Sequence, residues 1–270
     1  EIVTKGLLLN KQVHMQPVWG LGRAGERGFR DWLAEELEVE ATSLLSWEAM
    51  AHDVQPCAIV GADHELISAP RMDNLASSFS CLNALLRAAN SNDELQYIPV
   101  VALFDHEEVG SGSATGAASP MLRTLLERTA LGRGGSREDL HRAIADSLCV
   151  SLDMAHATHP NYAERHDPDH HLAMNEGPVI KVSANLRYAT ESSTEAAFEL
   201  ACLKAEVPMQ KWVMRTDLAC GSTIGPITAQ NLGMACVDVG NPMLGMHSIR
   251  ETAGADDPDY IERALRWILI

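Results

Sequence analysis

The chain has 270 residues, 46% of them hydrophobic, which is enough to bury a large core in one or two domains. Its formal charge of −16 argues against nucleic acid as a partner, because phosphates require a basic surface. No apolar run is long enough to cross a bilayer and no signal peptide opens the sequence, so we expect a cytoplasmic protein that does not bind membranes. The six cysteines show no paired metal-binding spacing, which favours reduced thiols.

The first part of the chain predicts short, separate elements. A helix is expected over residues 29–38, because Phe29, Trp32 and Leu33 fall on one face at helical spacing. Residues 58–61 and 65–68 predict two strands joined by a turn. This region therefore differs in character from the long apolar runs that follow it.

Two later apolar runs predict strands that end in acidic residues. Residues 98–104 predict a buried strand, and the adjacent carboxylates of Glu107 and Glu108 follow its end. Residues 147–152 predict another strand, which ends at Asp153. Open α/β sheets bind their ligands at the carboxyl ends of strands. Adjacent carboxylates repel each other unless a cation or a shared proton relieves the repulsion, so a metal site is expected here, with a solvated acidic loop as the alternative.

The remaining elements add further metal-binding side chains. A helix with apolar residues at positions 75, 79, 82 and 86 begins near Asp73. A strand over residues 234–240 leads to His247, and a final helix begins near Asp257. Carboxylates combined with imidazole suit a pair of zinc ions, or manganese or cobalt. We therefore expect the ligands to converge on one rim of one sheet, namely Asp73, Glu108, Asp153 and His247.

Four motifs resemble the aspartyl aminopeptidase family, and the likeness covers nearly the whole chain in the right order. They are Asp105-His106-Glu107-Glu108-Val109-Gly110-Ser111, Arg71-Met72-Asp73-Asn74-Leu75, Cys220-Gly221-Ser222-Thr223-Ile224-Gly225-Pro226 and Met246-His247-Ser248-Ile249-Arg250-Glu251. The resemblance implies a zinc-peptidase catalytic domain of the α/β class, with a mixed sheet flanked by helices. It also implies that residues 1–67 are part of a smaller, inserted, β-rich dimerisation domain and that residues 68–270 are the C-terminal part of the catalytic domain.

The resemblance assigns roles to the metal-site residues. Asp73 bridges two zinc ions, and its peptide bond to Asn74 is cis. Glu108, Asp153 and His247 complete the metal ligands, and Glu107 is the general base that takes a proton from the attacking water. The family's His-x-Asp segment, which carries a further ligand, has no counterpart here, so we expect an N-terminally truncated chain.

The resemblance also implies a substrate class and an assembly. Members hydrolyse the bond after an N-terminal aspartate or glutamate and assemble as homo-oligomers, usually dodecamers. His14 corresponds to a histidine that reaches a neighbouring subunit's active site. The residues that resemble the family's substrate-binding positions are Lys181, Tyr188, Gly221, Ser222 and Thr223. Without the resemblance, Lys181 is a strand-edge lysine facing water and His14 a surface histidine.

Two other functions are compatible with the sequence. One is an aminopeptidase or deacylase of the same clan that prefers a different side chain. The other is a catalytically silent assembly protein that keeps the fold. The histidines at positions 156, 159, 170 and 171 do not have the spacing of two ligands on one helical face, and we interpret them as residues of loops and of the surroundings of the metal ligands.

Overall fold

A computed structural model describes residues 2–22, 27–91, 95 and 97–270. The chain divides into two compact units, one ending at Val54 and the other spanning Gln55–Ile270. The first unit contains the helices α1 (Ile2–Lys5), α2 (Lys11–His14) and α3 (Phe29–Glu36) and a short 3₁₀ turn (Ala41–Ser43). Helix α3 confirms the predicted helix over residues 29–38, and the Phe29 ring lies 5.4 Å from that of Trp32.

The second unit is a seven-stranded mixed sheet with helices. Its strands are β1 (Ala58–Val60), β2 (Leu66–Ala69), β3 (Leu148–His156), β4 (Val179–Val182), β5 (Gln210–Val213), β6 (Ala235–Leu244) and β7 (Glu251–Gly254). Its helices are α4 (Met72–Ala89), α5 (Met121–Gly132), α6 (Arg137–Ala145), α7 (Ser192–Ala205), α8 (Gly225–Leu232) and α9 (Asp257–Leu269). This architecture confirms the predicted α/β fold class with a mixed sheet flanked by helices.

The sheet runs in the order β1-β2-β7-β6-β4-β5, and β3 pairs with β6. Strands β3 and β6 are parallel over their full length, whereas β7 and β4 are both antiparallel to β6. Helix α9 packs against both α4 and α7, and the largest apolar cluster includes Ile180, Phe198, Val237 and Ile261. The sheet therefore brings the ends of β3 and β6 to the start of α4.

Strands β1 and β2 connect residues 55–67 to the main sheet. Strand β1 pairs with β2, and β2 pairs antiparallel with β7 in the main sheet. Residues 55–67 therefore belong to the sheet of the second unit, and the two compact units divide after Val54. The boundary after residue 67 between an inserted domain and the catalytic domain stays a prediction. That the first unit is part of an inserted dimerisation domain stays a prediction.

The predicted buried strand over residues 98–104 is wrong in this structure. The segment has no strand partner among the described residues, and Ile98, Val100 and Leu103 are exposed. An apolar run becomes a strand only where a neighbouring strand satisfies its backbone hydrogen bonds. The apolar residues of α4 at positions 75, 79, 82 and 86 are exposed as well, because the helix packs on the unit through its small side chains, such as Ser77 and Ala84.

Candidate metal centre

Asp73 lies at the irregular beginning of α4. The backbone leaves helical geometry at Asp73 and Asn74, and the peptide bond between them is cis, which confirms the prediction. The Asn74 side-chain amide donates to the Leu152 carbonyl at 2.7 Å, and the Ser77 hydroxyl donates to the Asp153 carbonyl at 2.9 Å. These two bonds attach the beginning of α4 to the middle of β3. The Asp73 carboxylate therefore lies beside that of Asp153.

The two adjacent glutamates lie in a short 3₁₀ turn, Glu107–Val109. The turn is bounded by His106 at φ 64° and Gly110 at φ 100°, and the Ser111 N–H donates to the His106 carbonyl at 2.8 Å. The Glu107 side chain is half-buried and that of Glu108 is exposed. The turn thus directs neighbouring carboxylates into different environments.

His247 completes a group of three potential metal ligands. It lies in the loop between β6 and β7, and its Nε2 is 3.0 Å from the carboxylates of both Asp73 and Glu108. One potential ligand atom from each of the three residues lies within 4.8 Å of the others. Two carboxylates and one imidazole match the three protein ligands of a catalytic zinc site. The residues present therefore fit a zinc ion.

The electrostatics of the site also favour a cation. Burial, followed by repulsion from the carboxylates of Asp153 and Glu108, raises the pKa of Asp73 well above its ordinary value. Burial raises the pKa of Glu107 too, and the Asp153 carboxylate raises it further. A divalent cation would relieve this repulsion between carboxylates.

Asp153 lies beside this group but is paired differently. Its carboxylate is 2.9 Å from the Lys181 ammonium, and both side chains are largely buried. Burial alone would raise the pKa of Asp153, but Lys181 and a hydrogen bond with Asp73 outweigh burial and lower it. Lys181 on β4 therefore lies inside the site and does not face water at a strand edge.

Apart from Lys181 on β4, the predicted substrate-binding residues lie in two linked loops. Tyr188 is buried, its ring packs against Trp212, and the Lys181 ammonium lies 5.5 Å from the ring centre. The Ser222 hydroxyl donates to the Arg187 carbonyl at 3.0 Å, which joins the loop around Tyr188 to the loop around Gly221. The Thr223 side chain is buried and serves the fold, since its hydroxyl donates to Asp238 at 2.7 Å. Any substrate contact from Thr223 would therefore come from its backbone.

His14 belongs to the first unit. It ends α2, and its Nδ1 accepts the Asn10 N–H at 3.0 Å. Its predicted action on a neighbouring subunit stays a prediction.

Sequence reasoning missed two residues around the site and did not place a third in its strand. Buried Glu251 accepts hydrogen bonds from the backbone N–H groups of Asp73 and His247. Buried Asp238 accepts hydrogen bonds from both substrate-loop segments, from the Ala189 N–H at 2.6 Å and from the Thr223 hydroxyl. His156, named in the sequence as one of four clustered histidines, is the last residue of β3, and burial and then the Lys181 ammonium lower its pKa. Of the two missed residues, only Glu251 had a signal in the sequence, as the last residue of the His247 motif.

Comparisons with known proteins agree with this geometry. The family model described as aminopeptidase I zinc metalloprotease (M18) matches residues 3–266. A probable M18 family aminopeptidase 2 from Streptomyces coelicolor is 50% identical over 265 residues, which are 98% of this chain and 61% of the relative. The chain thus spans about three fifths of the length of that curated relative.

Solved structures show the same fold. A chain in the cryo-EM structure of the Ape4 and Nbr1 complex superposes with a TM-score of 0.78 at 36% identity, covering 87% of this chain and 46% of that one. The Saccharomyces cerevisiae mApe1 dodecamer gives a TM-score of 0.77 at 28% identity, covering 88% of this chain and 53% of that one. No helix in the described part of the chain is long and apolar enough to span a membrane.

Proposed function

Because this chain belongs to the aminopeptidase I zinc metalloprotease family (M18), we propose that its protein is a two-zinc aminopeptidase specific for acidic N-terminal residues. The observation that carries the proposal is the convergence of Asp73, Glu108 and His247 within 4.8 Å. These three residues would hold zinc, with Asp153 as a ligand of the second ion. Bound zinc supplies a Lewis acid that lowers the pKa of water and polarises a carbonyl.

Glu107 is proposed to move the proton in this reaction. Its carboxylate is half-buried and lies next to Glu108, within electrostatic reach of Asp153 and His247. A general base in this position accepts a proton from the attacking water and returns it to the leaving amine. The tetrahedral intermediate that forms when water attacks the carbonyl carbon then collapses, and the peptide C–N bond breaks.

Specificity for aspartate or glutamate is proposed to depend on Lys181. Most charges around the site are carboxylates, so an anionic substrate side chain needs a nearby cation. Lys181 is buried between Asp153 and the Tyr188 ring, where its positive charge is only weakly screened by water. Gly221 and Ser222 would contact the substrate from the adjoining loop. The space beside Gly221 is open, since no heavy atom lies within 4 Å of a Cβ placed on that residue.

Hydrolysis of aminoacyl p-nitroanilides by the zinc-supplemented protein tests the proposed reaction. We expect release of nitroaniline from aspartyl and glutamyl substrates, and much slower release from alanyl and leucyl substrates. A preference for leucyl substrate would indicate a related aminopeptidase with different specificity. Absence of hydrolysis from all four substrates by zinc-loaded protein would contradict the proposed activity.

We also propose that the protein acts as a homo-oligomer, of the dodecameric kind seen for yeast mApe1. Trp19 and Trp47 in the first unit remain about half exposed, and exposed aromatic surface is typical of interfaces. His14 would act on a neighbouring subunit. Mixing His14→Ala with Glu107→Gln subunits should restore part of the activity, whereas no recovery after confirmed subunit exchange would contradict action between subunits.

A further inference from the structure

One buried carboxylate connects the backbones of two proposed zinc ligands. Glu251 is 2% exposed and is the first residue of β7. Its Oε2 accepts the Asp73 N–H at 3.1 Å, and its Oε1 accepts the His247 N–H at 2.8 Å. The two donors come from residues 174 positions apart in the sequence. A single side chain therefore joins the start of α4 to the β6–β7 loop.

Both donors lie where regular secondary structure does not supply a partner. Asp73 has non-helical φ and ψ of −79° and 108°, although it lies in the first turn of α4. His247 has a φ of 65°, in the left-handed region that residues other than glycine rarely adopt. Such conformations persist where surrounding contacts determine them. Glu251 supplies a contact of this kind to each residue.

The side chains of the same two residues face each other. His247 Nε2 lies 3.0 Å from Asp73 Oδ2, so the backbone and side-chain contacts close a ring through Glu251, Asp73 and His247. Residues that hydrogen-bond around metal ligands orient them and raise metal affinity. In this ring Glu251 binds the backbone N–H groups of Asp73 and His247, which leaves their side-chain atoms available to an ion.

We propose that Glu251 is a positioning residue that fixes the spacing of Asp73 and His247 for zinc binding. This inference rests on the proposed metal centre and adds a residue to it. Loss of the carboxylate would leave two backbone donors without their partner and would free both ligands to move apart.

Zinc titration of Glu251→Gln against a chromophoric chelator tests this role. Glutamine has nearly the same shape, but its NH₂ group would face one of the two N–H donors. We expect zinc affinity to fall about 10- to 100-fold, as for other residues that orient metal ligands. The matched control is Glu262→Gln, because Glu262 is also buried but forms an ion pair with Arg87. The control should retain zinc affinity within about twofold even where its melting temperature falls.

The outcomes separate this inference from the metal centre itself. Unchanged zinc affinity in Glu251→Gln, or an equal loss in Glu262→Gln, would overturn the positioning role while leaving the metal centre intact. Failure of the unaltered protein to bind zinc would overturn both. If Glu251→Gln does not fold, Glu251→Asp provides the test, since its shorter side chain cannot reach both donors and should weaken zinc binding in the same direction. The absorption spectrum of the cobalt-substituted protein should change in the Glu251 variant and not in the Glu262 variant.

Discussion

The Lys181 ammonium lies 2.9 Å from the Asp153 carboxylate, inside the site and away from bulk water. The cation expected to meet an acidic substrate therefore already neutralises a carboxylate of the protein. An acidic substrate side chain would have to share the Lys181 ammonium with Asp153. The contribution of Lys181 to specificity is therefore measured as the difference between its effects on acidic and on neutral substrates.

Lys181→Met tests that contribution. Hydrogen bonds to charged groups contribute about 1.5–3 kcal/mol, so kcat/KM for an aspartyl substrate should fall about 10- to 100-fold more than for an alanyl substrate. The two substrates are compared on the same zinc-loaded preparation. Equal losses would show that Lys181 serves only Asp153.

Glu107→Gln should separate proton transfer from metal binding. A lost general base lowers turnover by about two to four orders of magnitude, while the metal ligands remain. Elemental analysis should find the zinc content of Glu107→Gln unchanged and that of Glu108→Gln reduced. Near-normal turnover in Glu107→Gln would place the base elsewhere.

Part of the site follows from sequence because Asp73 lies at the start of α4 and His247 in the loop after β6, whereas Asp153 lies within β3 and Glu108 in a 3₁₀ turn. The runs before Asp153 and His247 do form β3 and β6, and the run after Asp257 forms α9. Residues 98–104 differ because an apolar pattern does not reveal whether a partner strand is present. The burial of Lys181 and the links made by Glu251 depend on contacts between distant segments, which residue spacing does not encode.

Gly225→Ala should destabilise the loop that carries Gly221 and Ser222. A Cβ on Gly225 would lie 2.2 Å from an Asp238 carboxylate oxygen, and Asp238 is held by Thr223 and the Ala189 N–H. We expect the free energy of unfolding to fall by about 1–3 kcal/mol in urea denaturation. Gly221→Ala is the control and should change it by less than about 0.5 kcal/mol. Equal effects at both glycines would contradict the close packing on Asp238.

Asp257 should make stability depend on pH in mildly acidic solution. Burial raises its pKa from 3.8 to about 6, although the N–H groups of Asn175 and Gly177 donate to it. Between pH 4 and 6 the folded state keeps a proton that the unfolded chain has lost, so the contribution of Asp257 to stability falls as pH rises. The change amounts to about 3 kcal/mol at most. In urea denaturation at pH 4.5 and 6.5, the unfolding free energy of Asp257→Asn should not show this decrease with pH. The same pH dependence in the variant and the unaltered protein would contradict a raised pKa of Asp257.

Zinc binding at Asp73, Glu108 and His247 is the central claim, and elemental analysis after dialysis against trace zinc tests it most directly. The unaltered protein should retain zinc, and His247→Ala should lose most of it. His64→Ala is the matched control, because His64 is an exposed turn histidine with a similar positive φ, and it should retain zinc like the unaltered protein. Equal zinc content in the His247 and His64 variants would contradict the proposed metal centre.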